Sequence, residues 1–335
     1  MTPAGAPLVS VEDLRVEFHT DAGVVKAVDG VTWSVDPGET LGIVGESGSG
    51  KSVSALAVMG LVPTPPGRIS GRITFCGRDL LEAGEDELRS IRGKDISMIF
   101  QDPLTSLNPV FKVGHQVAEV IQVHERLGRI PARRRAVELL DEVGIPNARQ
   151  RAEEYPHQFS GGMRQRAMIA MALALNPALL LADEPTTALD VTVQAQIMSL
   201  LRKLQEERGT AIVLITHDLG VVAGHADRVL VMYAGRVVEA AGADALFHAP
   251  RHPYSLGLLS SLARLDRRRG ERLQPIPGQP PSLIRVPPGC PFHPRCPFAT
   301  EICRQEMPPL TGGGAHLAAC HHQDRVVEAR AAASR

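Results

Sequence analysis

Residues Gly45 to Ser52 read GESGSGKS, which meets the pattern GxxxxGK[ST] at every fixed position. The chemistry this spacing allows is phosphate binding. A glycine-rich turn that opens a helix aims successive backbone N–H groups, and the positive end of the helix dipole, at one anion. Gly45, Gly48 and Gly50 let the backbone approach without Cβ clashes, while Glu46, Ser47 and Ser49 complete the loop. Lys51 can reach terminal phosphates as a point charge, and the Ser52 hydroxyl can ligate Mg²⁺. A Gly/Ser turn matching by chance is the bland alternative. The flanks speak against it, because apolar Thr40 to Val44 precedes the loop and helix-forming Ser54 to Leu61 follows.

A second set of candidates lies downstream. Ser160-Gly161-Gly162 opens a helical run, Met163 to Leu175, and combines a helix cap with an anion-binding turn. Leu179 to Ala182 reads as a buried strand ending in Asp183-Glu184, at the strand end where open α/β sheets bind ligands. Asp183 suits a hard cation such as Mg²⁺, and Glu184 suits the polarisation of an attacking water. Paired acids at a strand end also occur as solvated helix caps. Asp190 sits in a turn at the next helix start, and a further strand, Ala211 to Ile215, ends in Thr216-His217-Asp218. A lone histidine is usually structural. His217, at a strand end in this company, reads as a γ-phosphate sensor.

These groups must be positioned by a mixed α/β framework. Val9, Val11, Leu14, Val16 and Phe18 alternate with polar residues, as do Val31, Trp33 and Val35 beyond a turn near Gly23, which predicts a half-buried antiparallel sheet. Phe18 is equally a core residue or an aromatic platform for an adenine ring. Strands are expected near Arg72 to Phe75 and Ile96 to Phe100, with Gln101 at the end of the latter. Residues 102–160 read as a helical insertion, with one helical pattern from Gln116 to about Val143 and a solvated basic face at Arg133 to Arg135. The turn-rich segment 102–113 carries Leu104, Leu107, Val110 and Phe111, so it is either a docking surface or buried under a neighbouring helix.

The chain has 335 residues, 44% hydrophobic content and a formal net charge of -1. That supports a real core and gives no global field favouring nucleic acid. MTPAGAPLVS lacks the basic and apolar regions of a secretory signal, and the longest apolar stretch, Met168 to Ala182, is broken by Asn176-Pro177. A cytosolic protein is expected.

From 8 to about 248 the chain resembles the nucleotide-binding subunit of ATP-binding cassette (ABC) transporters. The phosphate loop is Gly45 to Ser52, the Q-loop glutamine matches Gln101, and the signature matches FSGGM at Phe159 to Met163. The Walker B strand matches Leu179 to Asp183 with Glu184 as catalytic base, the D-loop matches Ala188 to Asp190, and the switch histidine matches His217. The aromatic A-loop position maps to Phe18. The resemblance implies an ATPase of the P-loop NTPase fold, with an antiparallel β subdomain and a helical subdomain over about 102–176. ATP and Mg²⁺ are the implied cofactors, with Ser52, Gln101 and Asp183 around the metal. Two cassettes would close head to tail, so that Ser160, Gly161 and Gly162 meet the γ-phosphate held by a partner. The signature departs from the commoner LSGGQ at Phe159 and Met163 but keeps the Ser-Gly-Gly turn.

The last part of the chain, 249–335, is expected to form a small loop-rich domain. It carries HPY at His252, Pro253 and Tyr254, a Pro-rich linker at 275–288, and four cysteines, Cys290, Cys296, Cys303 and Cys320. Cys76, the fifth, is expected to be a buried apolar residue in a strand. A cytosolic four-cysteine cluster points to metal rather than disulfides. Four thiolates suit a [4Fe-4S] cluster, the nearby His293, His316, His321 and His322 keep a mixed Cys/His zinc site open, and a tail without metal is the third reading. The tail resembles that of the ATPases of peptide and nickel importers, some of which hold a [4Fe-4S] cluster, and FSGGM with RQRAMIAMALA resembles their D-type subunit.

That resemblance implies a heterodimer with an F-type ATPase, two membrane permeases, an extracytoplasmic peptide-binding protein, and a peripheral place on the cytoplasmic face of the membrane. Peptide is the expected cargo, with nickel or another small solute as the alternative. Export is the runner-up within transport, and a soluble cassette ATPase of DNA repair or ribosomes is the remote reading. The DNA-repair type usually carries long coiled coils and the ribosomal type two cassettes; neither is found in this sequence.

Overall fold

A computed structural model describes residues 6–102, 106–187, 189–261 and 276–333. Its chain divides into two compact units. One is built mainly from Cys76–Ile215, with Val35–Glu39. Its centre is a run of parallel strands: Ile96–Ile99 pairs with Leu179–Asp183, which pairs in turn with Ala211–Thr216. Every residue of these three strands is buried, as expected for parallel strands covered on both faces. The register sets Asp183 opposite Ile215 at the carboxyl ends, so the acid pair emerges where the sheet stops.

The helical part of this unit comprises Val113–Glu125, Arg129–Glu142, Ala148–Arg151 and Gly161–Ala172. The single helix expected from Gln116 to Val143 is two helices, because Arg126 turns left-handed (φ 53°) and Gly128 caps the second one. Val117, Ile121, Leu139 and Leu140 are buried between them. Arg133, Arg134 and Arg135 are solvated, with side chains 62%, 80% and 43% exposed. In the 102–113 segment Leu107 is buried, whereas Val110 and Phe111 are 69% and 47% exposed. Leu104 lies outside the described residues.

The other unit is built from Val9–Ser34, Thr40–Phe75 and Thr216–Arg335. Its first sheet sets Gly23–Val35, Val9–Thr20 and Gly67–Phe75 side by side in that order. The last two are antiparallel, from Val9 opposite Phe75 to Phe18 opposite Gly67, with a bulge between Glu12 and Arg15. The alternating Val9, Val11, Leu14 and Val16 are all buried. In its second sheet Thr40–Val44 runs parallel to Arg228–Tyr233. That strand pairs antiparallel with Arg236–Gly242, which pairs with His316–Ala318 of the tail. Cys76 departs from expectation: it lies in the turn after Gly67–Phe75 with φ 50° and is half-buried rather than a core residue of a strand.

Candidate functional site

Thr40–Val44 delivers the chain into the phosphate loop and the helix Lys51–Val58 takes it away. Close approach dictates two of the glycines: a Cβ at Gly45 would sit 2.2 Å from the Met232 carbonyl oxygen, and one at Gly50 equally near that of Ala27, at 2.2 Å. Gly48 is there for its dihedral, φ 76°, in open space. Lys51 is only 5% exposed. Its Nζ donates to the carbonyls of Gly45 (2.8 Å) and Glu46 (3.0 Å) and lies 3.4 Å from Ser49 Oγ. The loop therefore curls around a buried ammonium, with Ser47 and Gly48 exposed and Ser52 half-buried.

At the carboxyl ends of the parallel strands, Asp183 is buried and Glu184 follows with φ 47°, the left-handed region that non-glycine residues rarely enter. The Glu184 N–H donates to the Ile215 carbonyl (2.8 Å). Its carboxylate Oε2 accepts from Gln101 Nε2 (3.0 Å) and from Thr187 Oγ1 (2.8 Å). Two residues 83 apart in sequence are thus brought together, and Thr187 joins them without having been predicted. Backbone strain held at an acid with two donors on one oxygen makes Glu184 a candidate functional position.

Ser160 caps Gly161–Ala172, its Oγ accepting from the Met163 N–H at 3.3 Å. Ser160 and Gly161 are exposed, and a Cβ on Gly162 would come within 2.9 Å of Val193 Cγ1. Asp190 caps Val191–Arg208 through the Val193 N–H, 3.0 Å. Ala188, the start of the expected D-loop, lies outside the described residues. His217 is exposed just beyond Ala211–Thr216. Phe18 is half-buried on its strand, with its ring against Gly67.

Two contacts of this site escape sequence reasoning. Tyr254 Oη accepts the Glu46 N–H at 2.7 Å, and Arg295 donates to both carboxylate oxygens of Glu46, at 2.6 and 2.9 Å. The HPY triplet is the visible signal; its target is 208 residues upstream. Burial pushes the His252 imidazole down to about 4, so it is neutral near pH 7, and its Nδ1 accepts the Tyr254 N–H at 3.1 Å.

Cys290, Cys296, Cys303 and Cys320 line a single pocket. Burial raises the thiols of Cys290, Cys296 and Cys320, the latter two to about 11 and about 12, and neighbouring tail thiols add to it. A formed metal centre at Cys290, Cys296, Cys303 and Cys320 is not shown by the arrangement. Among the described residues, no group of three or more His, Cys, Asp or Glu side chains is placed to hold a metal ion. Cys303 Sγ sits 3.7 Å from Thr300 Oγ1, and Cys320 Sγ accepts the His322 N–H at 3.3 Å. His322 is likewise engaged, with Nε2 at 2.7 Å from Thr300 Oγ1. No helix among the described residues is long and apolar enough to cross a membrane.

Comparison with known proteins shows the family of the chain. Residues 28–187 match the ABC transporter family model, and 238–303 match that of the oligopeptide/dipeptide transporter C-terminal region. The oligopeptide transport ATP-binding protein OppD of Salmonella typhimurium is 56% identical over 93% of both chains. Its Escherichia coli namesake is 58% identical over 90% of this chain and 89% of its own. Among solved structures, the ATP-binding cassette MJ0796, a dimer bound to ADP and Pi, is 31% identical with a TM-score of 0.63, over 70% of this chain and 98% of its own. The chain belongs to the oligopeptide-transport family of ABC transporter ATP-binding subunits.

Proposed function

We propose that this subunit hydrolyses ATP to drive peptide import, as a cassette over 1–248 followed by a tail over 249–335. The observation that carries the reading is the braced Glu184, a strained carboxylate at a strand end with Gln101 and Thr187 on its Oε2. Glu184 orients the attacking water, His217 stabilises the charge that develops on the transferred phosphoryl, and Lys51 with the loop amides holds the phosphates. Ser52, Gln101 and Asp183 would hold Mg²⁺, which when bound neutralises phosphate charge. Phe18 is the candidate platform for the base.

A second cassette completes each ATP site. The F-type relative of this subunit is the proposed partner, which fits the exposed Ser160 and Gly161. The groove at Val110, Phe111, His115, Ile130 and Tyr155, about 420 Å³, is where a membrane permease would dock on the cytoplasmic face. Val110, Phe111 and Ile130 leave it an exposed apolar rim. A peptide-binding protein outside the membrane would choose the cargo.

The donor set of the tail pocket suits a [4Fe-4S] cluster better than a single ion: Cys290, Cys296, Cys303 and Cys320 supply four thiols, whose places on four irons need not converge on one point. A cluster would take them as thiolates. Anaerobic purification with iron, sulfide and zinc analysis tests this; zinc at one per chain without iron rejects it.

Exchanging Glu184→Gln keeps the geometry and removes the base, so steady-state turnover should fall by about 10²–10⁴-fold with ATP binding kept. Uptake of labelled oligopeptides, with nickel as control cargo, should collapse for peptides alone. Wild-type hydrolysis by the variant, in a complex with no other active cassette, overturns the assignment.

A further inference from the structure

Glu46 is the second residue of the phosphate loop, and four groups hold it. Lys51 Nζ (3.0 Å) and the Ser49 N–H (3.2 Å) donate to its carbonyl, Tyr254 Oη accepts its N–H (2.7 Å), and Arg295 takes its carboxylate with a two-pronged fork. Lys51 and Ser49 belong to the loop itself. When Lys51 turns to a phosphate it gives up that carbonyl, leaving the Ser49 N–H within the loop; the two tail contacts are the only ones of these four that reach Glu46 from outside it. Both are built to stay in place. All five N–H groups of Arg295 are used, since those not on Glu46 reach Pro277 O (2.9 Å), Ile276 O (3.4 Å) and Tyr233 Oη (3.3 Å). Its side chain is 4% exposed, so the guanidinium has no water to fall back on if Glu46 is lost.

Tyr254 is fully buried, with ring centroids 4.7 Å from Tyr233 and 5.4 Å from Phe292. Its backbone is fixed through His252, whose own N–H donates to the buried Glu239 carboxylate at 2.9 Å. That carboxylate also takes the Arg251 N–H (2.7 Å) and lies 2.7 Å from His316 Nε2. The whole chain of contacts stays inside one compact unit.

We infer that Tyr254 and Arg295 are positioning residues of the ATP site, fixing the phosphate loop at Glu46 so that nucleotide affinity depends on the C-terminal tail. A loop held in its binding shape before the ligand arrives saves the cost of ordering it afterwards. The clamp touches neither Glu184 nor the attacking water, so it should act on bound substrate and transition state alike. Such uniform binding shows in KM and not in kcat.

This inference rests on the phosphate loop being the nucleotide site, and Lys51→Ala tests that separately. The full chain with MgATP is the system, measured by equilibrium binding and, with its partner subunits, by steady-state hydrolysis. Tyr254→Phe removes one oxygen and keeps the ring packing; we expect about tenfold weaker ATP binding with kcat within about twofold, the loss of one buried hydrogen bond. Arg295→Met should lose at least as much. Arg295→Lys, which keeps charge without the fork, should recover part of it.

By reciprocity, a non-hydrolysable ATP analogue should slow amide exchange in 290–296 of the native chain and fail to do so in Glu46→Ala. If Lys51→Ala abolishes binding while Tyr254→Phe leaves affinity and the KM/kcat split unchanged, the tail only packs and the inference falls. It falls equally if the analogue leaves exchange in 290–296 untouched. If Lys51→Ala itself binds ATP normally, the loop assignment fails first. Should Arg295→Met not fold, Tyr254→Phe and the exchange measurement still decide.

Discussion

The phosphate loop and the signature turn are both Ser/Gly turns that open a helix, and they are finished to different degrees. In the loop, Ser49 and Lys51 are buried, glycine is forced at 45 and 50 by carbonyls of other strands, and Glu46 is held from the tail. In the signature turn, Ser160 and Gly161 lie in solvent, and the one polar side chain is spent on capping its own helix. The first is an anion cradle completed by its own chain. The second is a similar turn that opens to solvent at Ser160 and Gly161, which fits the proposal that another molecule supplies its remaining half. A similar local turn becomes a binding site or an interface according to what the fold packs behind it.

The largest break in this comparison comes from Lys51→Ala, which takes the side-chain donor from the buried Gly45 carbonyl, takes one of the donors from that of Glu46, and removes the charge. ATP affinity of the isolated chain should drop by about 100-fold or more, read by equilibrium binding. At the signature turn, Ser160→Arg should leave that affinity within about twofold, while turnover of the assembled transporter falls by about 100-fold, because the lost group serves the partner's nucleotide. A binding defect in the isolated Ser160→Arg chain would erase the difference between the two turns.

The smallest effect lies in the helical part of the unit that carries the signature turn. Glu153 meets Arg133 and Lys112, and the Arg133 hydrogen bond, ahead of the Lys112 one, holds its carboxyl below the usual value of 4.5. A carboxylate lowered on folding adds stability that is present above pH 4.5 and is lost as pH falls through its folded value. The pair is largely exposed, so solvent screening keeps the contribution below about 1 kcal/mol. Melting temperatures of Glu153→Gln and the native chain should therefore differ slightly at neutral pH and converge as pH falls from 4.5 through the lowered folded value.

Much of the site was legible because its motifs are local. A phosphate loop needs a strand, a glycine turn and a helix in immediate succession, and GESGSGKS between Thr40–Val44 and Lys51–Val58 carries that whole unit in the sequence. The caps at Ser160 and Asp190, and the acid pair closing a buried strand, follow from the same short-range chemistry. Helix breaks were harder. Nothing in the apolar spacing announced the left-handed turn at Arg126, since periodicity persists across a short interruption. The tail cysteines show the same limit: their number suggests a metal, but spacing alone does not say that Cys303 and Cys320 face local hydrogen-bonding partners.

What tertiary structure alone decided is pairing over distance. Gln101 reaches Glu184 because neighbouring parallel strands end side by side, and Arg295 reaches Glu46 because Tyr233, Tyr254 and Phe292 bury a common base beneath them. An ion pair 249 residues apart leaves no trace in composition or spacing. Its partners are chosen by the free energy of burying aromatic rings and of never leaving a buried guanidinium unpaired, quantities that exist only once the chain has closed on itself.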